Sequence, residues 1–166
     1  MKIKFVDEVA IEKKRILLRV DLNVALQSDA QIADDSRILQ VLPTIKLLLK
    51  KKNKLILVSH LSNPKKRDSR YSLKIVLKRL KKLLPEYSYT LVDNFTSNKG
   101  KTIIASQKEN EILLLENIRF YEGERKNDSA FARELSTIAD IYVNDAFAVS
   151  HRTEASIVKI PRLIPS

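Results

Sequence analysis

The side chains best suited to binding a ligand in this 166-residue chain share one position, the end of a short apolar run: Asp21, Asn23, His60, Arg119, His151 and Arg152. Arginine binds phosphate and carboxylate oxygens through two parallel hydrogen bonds from its planar guanidinium group. These residue types therefore suit a small phosphorylated or carboxylated ligand. An alternative for Asp21 and Asn23 stays open at this point, because both residue types also begin turns.

The apolar runs are predicted to be strands of one parallel sheet. They span residues 16–20, 55–59, 89–92, 112–115, 141–143 and 157–160. The first run is apolar on both faces, which is typical of strands that helices cover from both sides. Segments with helical spacing of apolar residues separate the runs and imply right-handed crossovers. We predict an α/β fold: a three-layer, doubly wound (Rossmann-like), mostly parallel sheet of about six strands with helices on both faces.

A parallel sheet would bring the dispersed candidate residues together. The carboxyl ends of parallel strands share one edge of the sheet, and ligands of open α/β sheets bind beyond those ends. Helix N-termini open onto the same edge and add partial positive charge. The candidate residues are therefore expected at one edge, whatever the strand order.

The first connection carries two local predictions. The polar stretch at residues 25–33 favours a hairpin around Ser28 and Asp29. Residues 34–36, Asp-Asp-Ser, supply capping chemistry for a helix that runs to about Lys52. Pro43 lies inside that helix and predicts a kink or a break.

Composition bounds the class of protein. The chain is 44% hydrophobic, enough for one domain with a substantial core. The absence of cysteine excludes a disulfide framework, a thiolate nucleophile and a cysteine zinc cluster. The first ten residues, MKIKFVDEVA, lack the features of a signal peptide, and no apolar run would span a bilayer. We expect a cytoplasmic protein without membrane association.

The net charge of +11 is concentrated in one segment. Between Lys46 and Lys82 there are fourteen lysines and arginines against the single acid Asp68, a local net charge of +13. Such a field attracts anions, including nucleic acid. The lysines of residues 73–84 lie off the apolar stripe of a predicted helix, and no aromatic residues alternate with them. A solvated helix face is therefore favoured over nucleic-acid binding.

Other common chemistries lack their motifs. The chain has only two glycines, and Gly100-Lys101-Thr102 resembles the end of a P-loop but has Phe95 where that loop requires glycine. His60 and His151 lack the close spacing of metal ligands, and no metal site is predicted. No serine lies in the context of a hydrolase nucleophile.

Six segments together resemble the N-terminal, substrate-binding domain of phosphoglycerate kinases. In chain order they are RVDLNV (19–24), DDSRILQVLPTI (34–45), SHLSNPK (59–65), LLLENIRFYEGERKND (113–128), ADIYVNDAF (139–147) and SHRTEAS (150–156). They extend over nearly the whole chain, and several long motifs in register are far more specific than one short pattern.

The resemblance implies a role for each matching residue. The ligand would be 3-phosphoglycerate or 1,3-bisphosphoglycerate, with Asp21 and Asn23 holding the hydroxyl and carboxyl end of the glycerate. Arg37 would be the catalytic residue that stabilises charge on the transferred phosphoryl group. The non-transferring phosphate would be held by His60, Arg119 and Arg152, and by the residue at position 63.

Three positions depart from the family pattern. Asn63 replaces a phosphate-binding arginine, Glu154 stands where the family usually has histidine, and Ala148 replaces a glycine. Losing one charged hydrogen bond and gaining a carboxylate should each weaken anion binding by about 1–3 kcal/mol. Residues 65–67, Lys-Lys-Arg, follow in the same loop and are expected to compensate.

The resemblance also sets the expected domain organisation. Residues 1–166 would form a single phosphoglycerate-binding domain, and the C-terminal nucleotide-binding domain of the family would be absent from this chain. Mg-ADP or Mg-ATP is implied for the full-length family enzyme, and none would bind here. We therefore expect weak phosphoglycerate binding, no kinase turnover and a monomer. A stand-alone, non-catalytic anion-binding domain and a basic nucleic-acid-binding module remain as alternatives.

Overall fold

The fold is organised around a five-stranded parallel sheet. The computed structural model describes residues 5–27 and 31–166. Its strands are β1 (Arg15–Val20), β2 (Ala25–Leu26), β3 (Ile32–Asp34), β4 (Lys54–Val58), β5 (Ser88–Val92), β6 (Glu111–Leu115) and β7 (Ile141–Asp145). The main sheet has the order β5-β6-β4-β1-β7, and every neighbouring pair in it is parallel. The strand β1 is thus interior, as its two-sided apolar sequence predicts.

Helices cover both faces of this sheet. They are α1 (Ser36–Lys50), α2 (Lys74–Leu83), α3 (Asn98–Ala105), α4 (Glu122–Arg125), α5 (Ser129–Ser136) and α6 (Ala155–Val158). On one face, α1 and α2 pack on the sheet through residues such as Ile45 and Leu80. On the other, α3, α5 and α6 contribute residues such as Ile104, Leu135 and Ala155. The three-layer, doubly wound α/β prediction is confirmed.

The connections that follow two adjacent strands, β4 and β6, run over opposite faces of the sheet. The helix that follows β4, α2, packs on one face, and the helix α5 that follows β6 packs on the other. The loops that leave β4 and β6 therefore separate to opposite faces. Such a switch point is where a crevice opens at the carboxyl edge of a doubly wound sheet.

The predicted sixth strand at residues 157–160 is wrong. Residues 155–158 form α6, and a 3₁₀ turn, Ile160–Arg162, follows. Ile157 and Ile160 are three residues apart and both are buried, which suits a helical turn. The chain then passes along the edge strand β7, where the Tyr142 amide donates to the Pro165 carbonyl at 2.8 Å.

The predictions for the first connection have mixed outcomes. The hairpin is present as the antiparallel pair β2–β3, but Ser28 and Asp29 lie outside the described residues. The helix α1 continues through Pro43 without the predicted break. Because proline has no N–H group, Pro43 cannot donate a hydrogen bond to the Leu39 carbonyl. Both residues are exposed, so this carbonyl lies on the solvent side of the helix.

The start of α1 is capped differently from the prediction. Asp35 occupies the N-cap position but makes no side-chain cap bond; its Oδ2 instead accepts from Arg79 Nε at 2.6 Å. Asp34 satisfies the Ser36 amide at 2.8 Å. Within residues 5–27 and 31–166, no helix has the length and apolar character needed to cross a membrane.

Candidate functional site

The first element of the site is an ion pair between the loop after β1 and the start of α1. Asp21 is buried, and its Oδ2 pairs with the Arg37 guanidinium group. Its other oxygen accepts from the Asn23 amide at 3.1 Å, which closes a local turn. The turn and the site are therefore compatible interpretations of Asp21. Arg37 keeps 42% of its side-chain surface exposed and can still contact a ligand.

Asn23 connects this loop to the loop after β4. Its Oδ1 accepts from the Ser62 amide at 2.6 Å. Ser62 has a φ of 57°, the left-handed conformation that non-glycine residues adopt uncommonly. A second hydrogen bond joins the same two loops: directly after β4, the Ser59 hydroxyl accepts from the Leu22 amide at 2.9 Å. Two predicted strand ends thus form one connected rim.

A cavity of about 490 Å³ opens beside this rim. It is lined by Asn23, Val24, Ala25, Leu26, Asp34, Arg37, Leu61, Ser62 and Tyr71. Of the predicted site residues, Asn23 and Arg37 contribute to this lining. The lining combines the Arg37 guanidinium group and the Asp34 carboxylate with amide and hydroxyl groups, which suits a small polar ligand.

Arg119 and Arg152 converge on a single carboxylate. Arg119 Nη2 donates to Glu154 Oε1 at 3.1 Å, and Arg152 Nη1 lies 3.5 Å from the same oxygen. Arg119 is 4% exposed and also donates to the Ser62 carbonyl at 2.8 Å. Burial, followed by the nearby charge of Arg152, lowers the pKa of Arg119. The structure therefore brings the two predicted phosphate-binding arginines together, but an internal carboxylate occupies the space between them.

His60 is a buried, neutral ring. It is 2% exposed, and its Nδ1 lies 3.3 Å from Arg19 Nη2. Burial is the largest cause that lowers the pKa of His60 to about 2, and the charges of Arg19, Arg119, Arg152 and Arg37 lower it further. At physiological pH, His60 can donate or accept a hydrogen bond but supplies no positive charge to an anion.

Arg19 belongs to the site region but does not lie at a strand end, so strand-end position did not predict it. It lies within β1, is 2% exposed, and donates from Nε to the Ser156 hydroxyl at 3.1 Å. Ser156 in turn donates to both oxygens of Glu124, from Oγ at 2.6 Å and from its amide at 2.8 Å. The sequence contained one signal for Arg19: an arginine inside a strand predicted to be buried on both faces, where a charge must have partners.

The loop after β4 has fewer unpaired basic groups than its sequence suggests. Asn63 is exposed, and so are Lys65 and Lys66. Arg67 instead forms an ion pair with Asp93, and its guanidinium group lies 5.3 Å from the centre of the Phe120 ring. Arg67 therefore has other partners, which leaves the two lysines as the groups expected to compensate for Asn63.

Comparison with known proteins finds similarity to phosphoglycerate kinases over nearly the whole chain. The family model described as phosphoglycerate kinase matches residues 6–166. A curated phosphoglycerate kinase from Wolbachia sp. subsp. Drosophila simulans (strain wRi) is 44% identical over 166 residues, covering 100% of this chain and 41% of that protein. One from Geobacter metallireducens is 44% identical over 167 residues, covering 99% of this chain and 42% of its own length.

Solved structures agree with the sequence comparison. The phosphoglycerate kinase of Coxiella burnetii superposes with a TM-score of 0.84 at 29% identity, covering 96% of this chain and 39% of that one. That of Pyrococcus horikoshii OT3 gives 0.83 at 31% identity, with 96% and 40% covered. This chain thus spans about two-fifths of the length of the relatives it matches. Because a family model matches 161 of its residues, from 6 to 166, the chain belongs to the phosphoglycerate kinase family.

Proposed function

We propose that this chain binds phosphoglycerate as the substrate-binding half of a phosphoglycerate kinase. One observation carries the proposal: the loops after β1 and β4 and the start of α1 form a single polar rim beside a cavity of about 490 Å³. Family membership adds the chemical class of the ligand. A phosphorylated, carboxylated three-carbon acid is small enough for this cavity, and the half-exposed Arg37 guanidinium group would meet part of its negative charge.

In this proposal, the rim orients the glycerate. Asn23 lines the cavity with an amide whose Oδ1 is already bonded to Ser62, so its NH₂ group is the donor that faces a ligand carboxylate. Asp21 holds Arg37 at the cavity wall through their ion pair. Arg37 then stabilises the negative charge that develops on a phosphoryl group during transfer.

The phosphate that is not transferred would bind near His60, Arg119 and Arg152. Arginine pairs recognise phosphate through charge-assisted hydrogen bonds. Here Glu154 competes for both arginines, and Asn63 provides no charge. We therefore propose that phosphoglycerate binding is weak.

The family reaction transfers a phosphoryl group between 1,3-bisphosphoglycerate and ADP to give 3-phosphoglycerate and ATP, with magnesium bound to the nucleotide. Among the residues that the structure describes, no group of three or more histidine, aspartate or glutamate side chains is placed to hold a metal ion. We propose that this chain alone binds substrate without turnover, because transfer requires a donor aligned with the acceptor.

Calorimetric titration with 3-phosphoglycerate tests the binding proposal. We expect saturable heat that Arg37→Ala weakens at least tenfold. Arg79→Ala is the matched control, because Arg79 also forms an aspartate ion pair at similar exposure but does not line the cavity. Absence of heat with the parent chain, or equal loss in both variants, would contradict the proposal. Sustained turnover in a coupled ADP assay would contradict the second part of it.

A second candidate, a non-catalytic anion-binding domain of the same descent, is favoured by the Glu154 ion pairs. The two candidates differ in ligand discrimination. A substrate domain is expected to bind 3-phosphoglycerate more tightly than inorganic phosphate, whereas a general anion site would bind both equally. Steeply salt-dependent binding of DNA without phosphoglycerate heat would support neither candidate and would indicate a nucleic-acid-binding protein.

A further inference from the structure

The hydrogen bond between Arg19 and His60 fixes the chemistry of the histidine ring. Arg19 Nη2 lies 3.3 Å from His60 Nδ1, and both residues are 2% exposed. A guanidinium group carries only N–H donors and stays protonated in proteins. The Nδ1 atom must therefore accept this hydrogen bond, so the proton of the neutral ring resides on Nε2.

We propose that Arg19 is a positioning residue that holds His60 as a neutral imidazole protonated on Nε2, so that the ring serves the anion site as an N–H donor and not as a cation. The ligand part of this inference rests on the proposed phosphoglycerate-binding function. The tautomer and its cause rest on the Arg19–His60 geometry alone.

Arg19 is itself held by three further contacts. Its Nη1 donates to the Val20 carbonyl at 2.6 Å and lies 3.5 Å from the Val58 carbonyl, and its Nε donates to Ser156 Oγ at 3.1 Å. Ser156 connects Arg19 to the buried carboxylate of Glu124, and the Tyr142 hydroxyl donates to the Ser156 carbonyl at 2.6 Å. A guanidinium group bonded on several sides keeps its Nη2 directed at His60, which a freely rotating side chain would not do.

The charges around the ring agree with a neutral donor. His60 is surrounded by the positive charges of Arg19, Arg37, Arg119 and Arg152, and these charges disfavour a second proton on the ring. The carboxylates that interact electrostatically with Arg19 are those of Glu124, Asp21 and Glu154. Positive charge for an anion is thus supplied by arginines, while His60 adds a directional N–H group.

Nitrogen-15 NMR of the full chain tests the tautomer directly. The chain contains only two histidines, so the spectrum holds two imidazole systems, and the exposed His151 provides the internal comparison. For His60 we expect an unprotonated Nδ1 and a protonated Nε2 that stay unchanged between about pH 5 and pH 8. A protonated Nδ1, or a ring that gains a proton near the unperturbed pKa of about 6.5, would overturn the proposal.

Two substitutions test whether Arg19 is the cause. Arg19→Lys keeps a cationic donor and is expected to preserve the Nε2 tautomer. The double substitution Arg19→Gln with Glu124→Gln removes both buried charges together, and we expect His60 then to titrate at higher pH. An unchanged His60 spectrum in a folded double variant would overturn the role of Arg19. If the double variant does not fold, the measurement on the parent chain still decides the tautomer.

Ligand addition separates this inference from the proposed function. With 3-phosphoglycerate, we expect the His60 Nε2–H resonance to shift and the His151 resonances to stay in place. An Nε2 tautomer without any ligand-induced shift would overturn phosphoglycerate binding at this ring and support the role of Arg19 in the free chain. A ligand-induced shift on a ring protonated at Nδ1 would support binding and overturn the role of Arg19.

Discussion

Glu154 Oε1 lies 3.1 Å from the guanidinium group of Arg119, inside the positively charged cluster proposed to bind phosphate. The second carboxylate oxygen, Oε2, is buried and has no hydrogen-bond partner among the described residues. The free chain thus holds one negative charge where the ligand would bring its own. Binding of a phosphate must displace this carboxylate or approach it against electrostatic repulsion.

Glu154→Gln is expected to strengthen phosphoglycerate binding. The amide keeps the size of the side chain but removes the competing charge, and we expect a gain of about 1–2 kcal/mol, roughly 5- to 30-fold in Kd. Calorimetry measures the change. Glu109→Gln is the control, since Glu109 is exposed and precedes the amino end of β6, away from the site. Equal affinities of parent and Glu154→Gln would show that the carboxylate does not compete.

Asn63→Arg is expected to restore a missing phosphate contact. Asn63 is exposed in the loop after β4, so the longer side chain can be accommodated without disturbing the core. A new charge-assisted hydrogen bond should tighten binding by about 1–3 kcal/mol. The same change at the exposed Asn110, beside the amino end of β6, adds equal charge elsewhere. No gain over Asn110→Arg would indicate that Lys65 and Lys66 already compensate.

The buried ring of His60 predicts a loss of stability in acid. Its folded-state pKa of about 2 lies below the value of about 6.5 expected in the unfolded chain. Between these values the unfolded state binds the extra proton, so the free energy of unfolding decreases as pH falls below about 6.5, by up to about 1.4 kcal/mol per pH unit from this residue.

Urea unfolding of the parent and of His60→Gln over a pH series measures this contribution. We expect the variant to lose stability less steeply between about pH 6 and pH 4, because no ring remains to be protonated on unfolding. The exposed His151 provides the matched control variant, His151→Gln. Parallel slopes in all three proteins would contradict the prediction.

Ser156→Ala is expected to destabilise the fold. The Ser156 hydroxyl accepts from Arg19 and donates to Glu124, and its loss leaves two buried charged groups each short of one hydrogen bond. We expect a decrease of about 2–4 kcal/mol in the free energy of unfolding, measured by urea denaturation. Ser150→Ala serves for comparison, since the exposed Ser150 hydroxyl donates to the Phe147 carbonyl and contacts no buried charge among the described residues. Similar small effects of both changes would indicate that water replaces the Ser156 hydroxyl.

The apolar runs predicted the parallel sheet because each strand is short and buried, with helical periodicity between strands. The same rule failed at residues 157–160, since a short apolar run does not distinguish a strand from a buried helical turn. In the site, strand-end position brought Asp21 and Asn23 into contact with the β4 loop. The bond between Arg19 and Ser156 joins residues 137 positions apart, and a single sequence read by itself carries no signal of such a pairing.

The bond from the Tyr142 amide to the Pro165 carbonyl also bears on solubility. An edge strand such as β7 exposes unpaired backbone groups to which a second molecule can add a strand. Here a nearby segment of the same chain occupies that edge, with Ile164 packed against the adjacent core. Residues 163–166 thus cover part of the β7 edge, and removing them would free the Tyr142 amide to pair with an added strand.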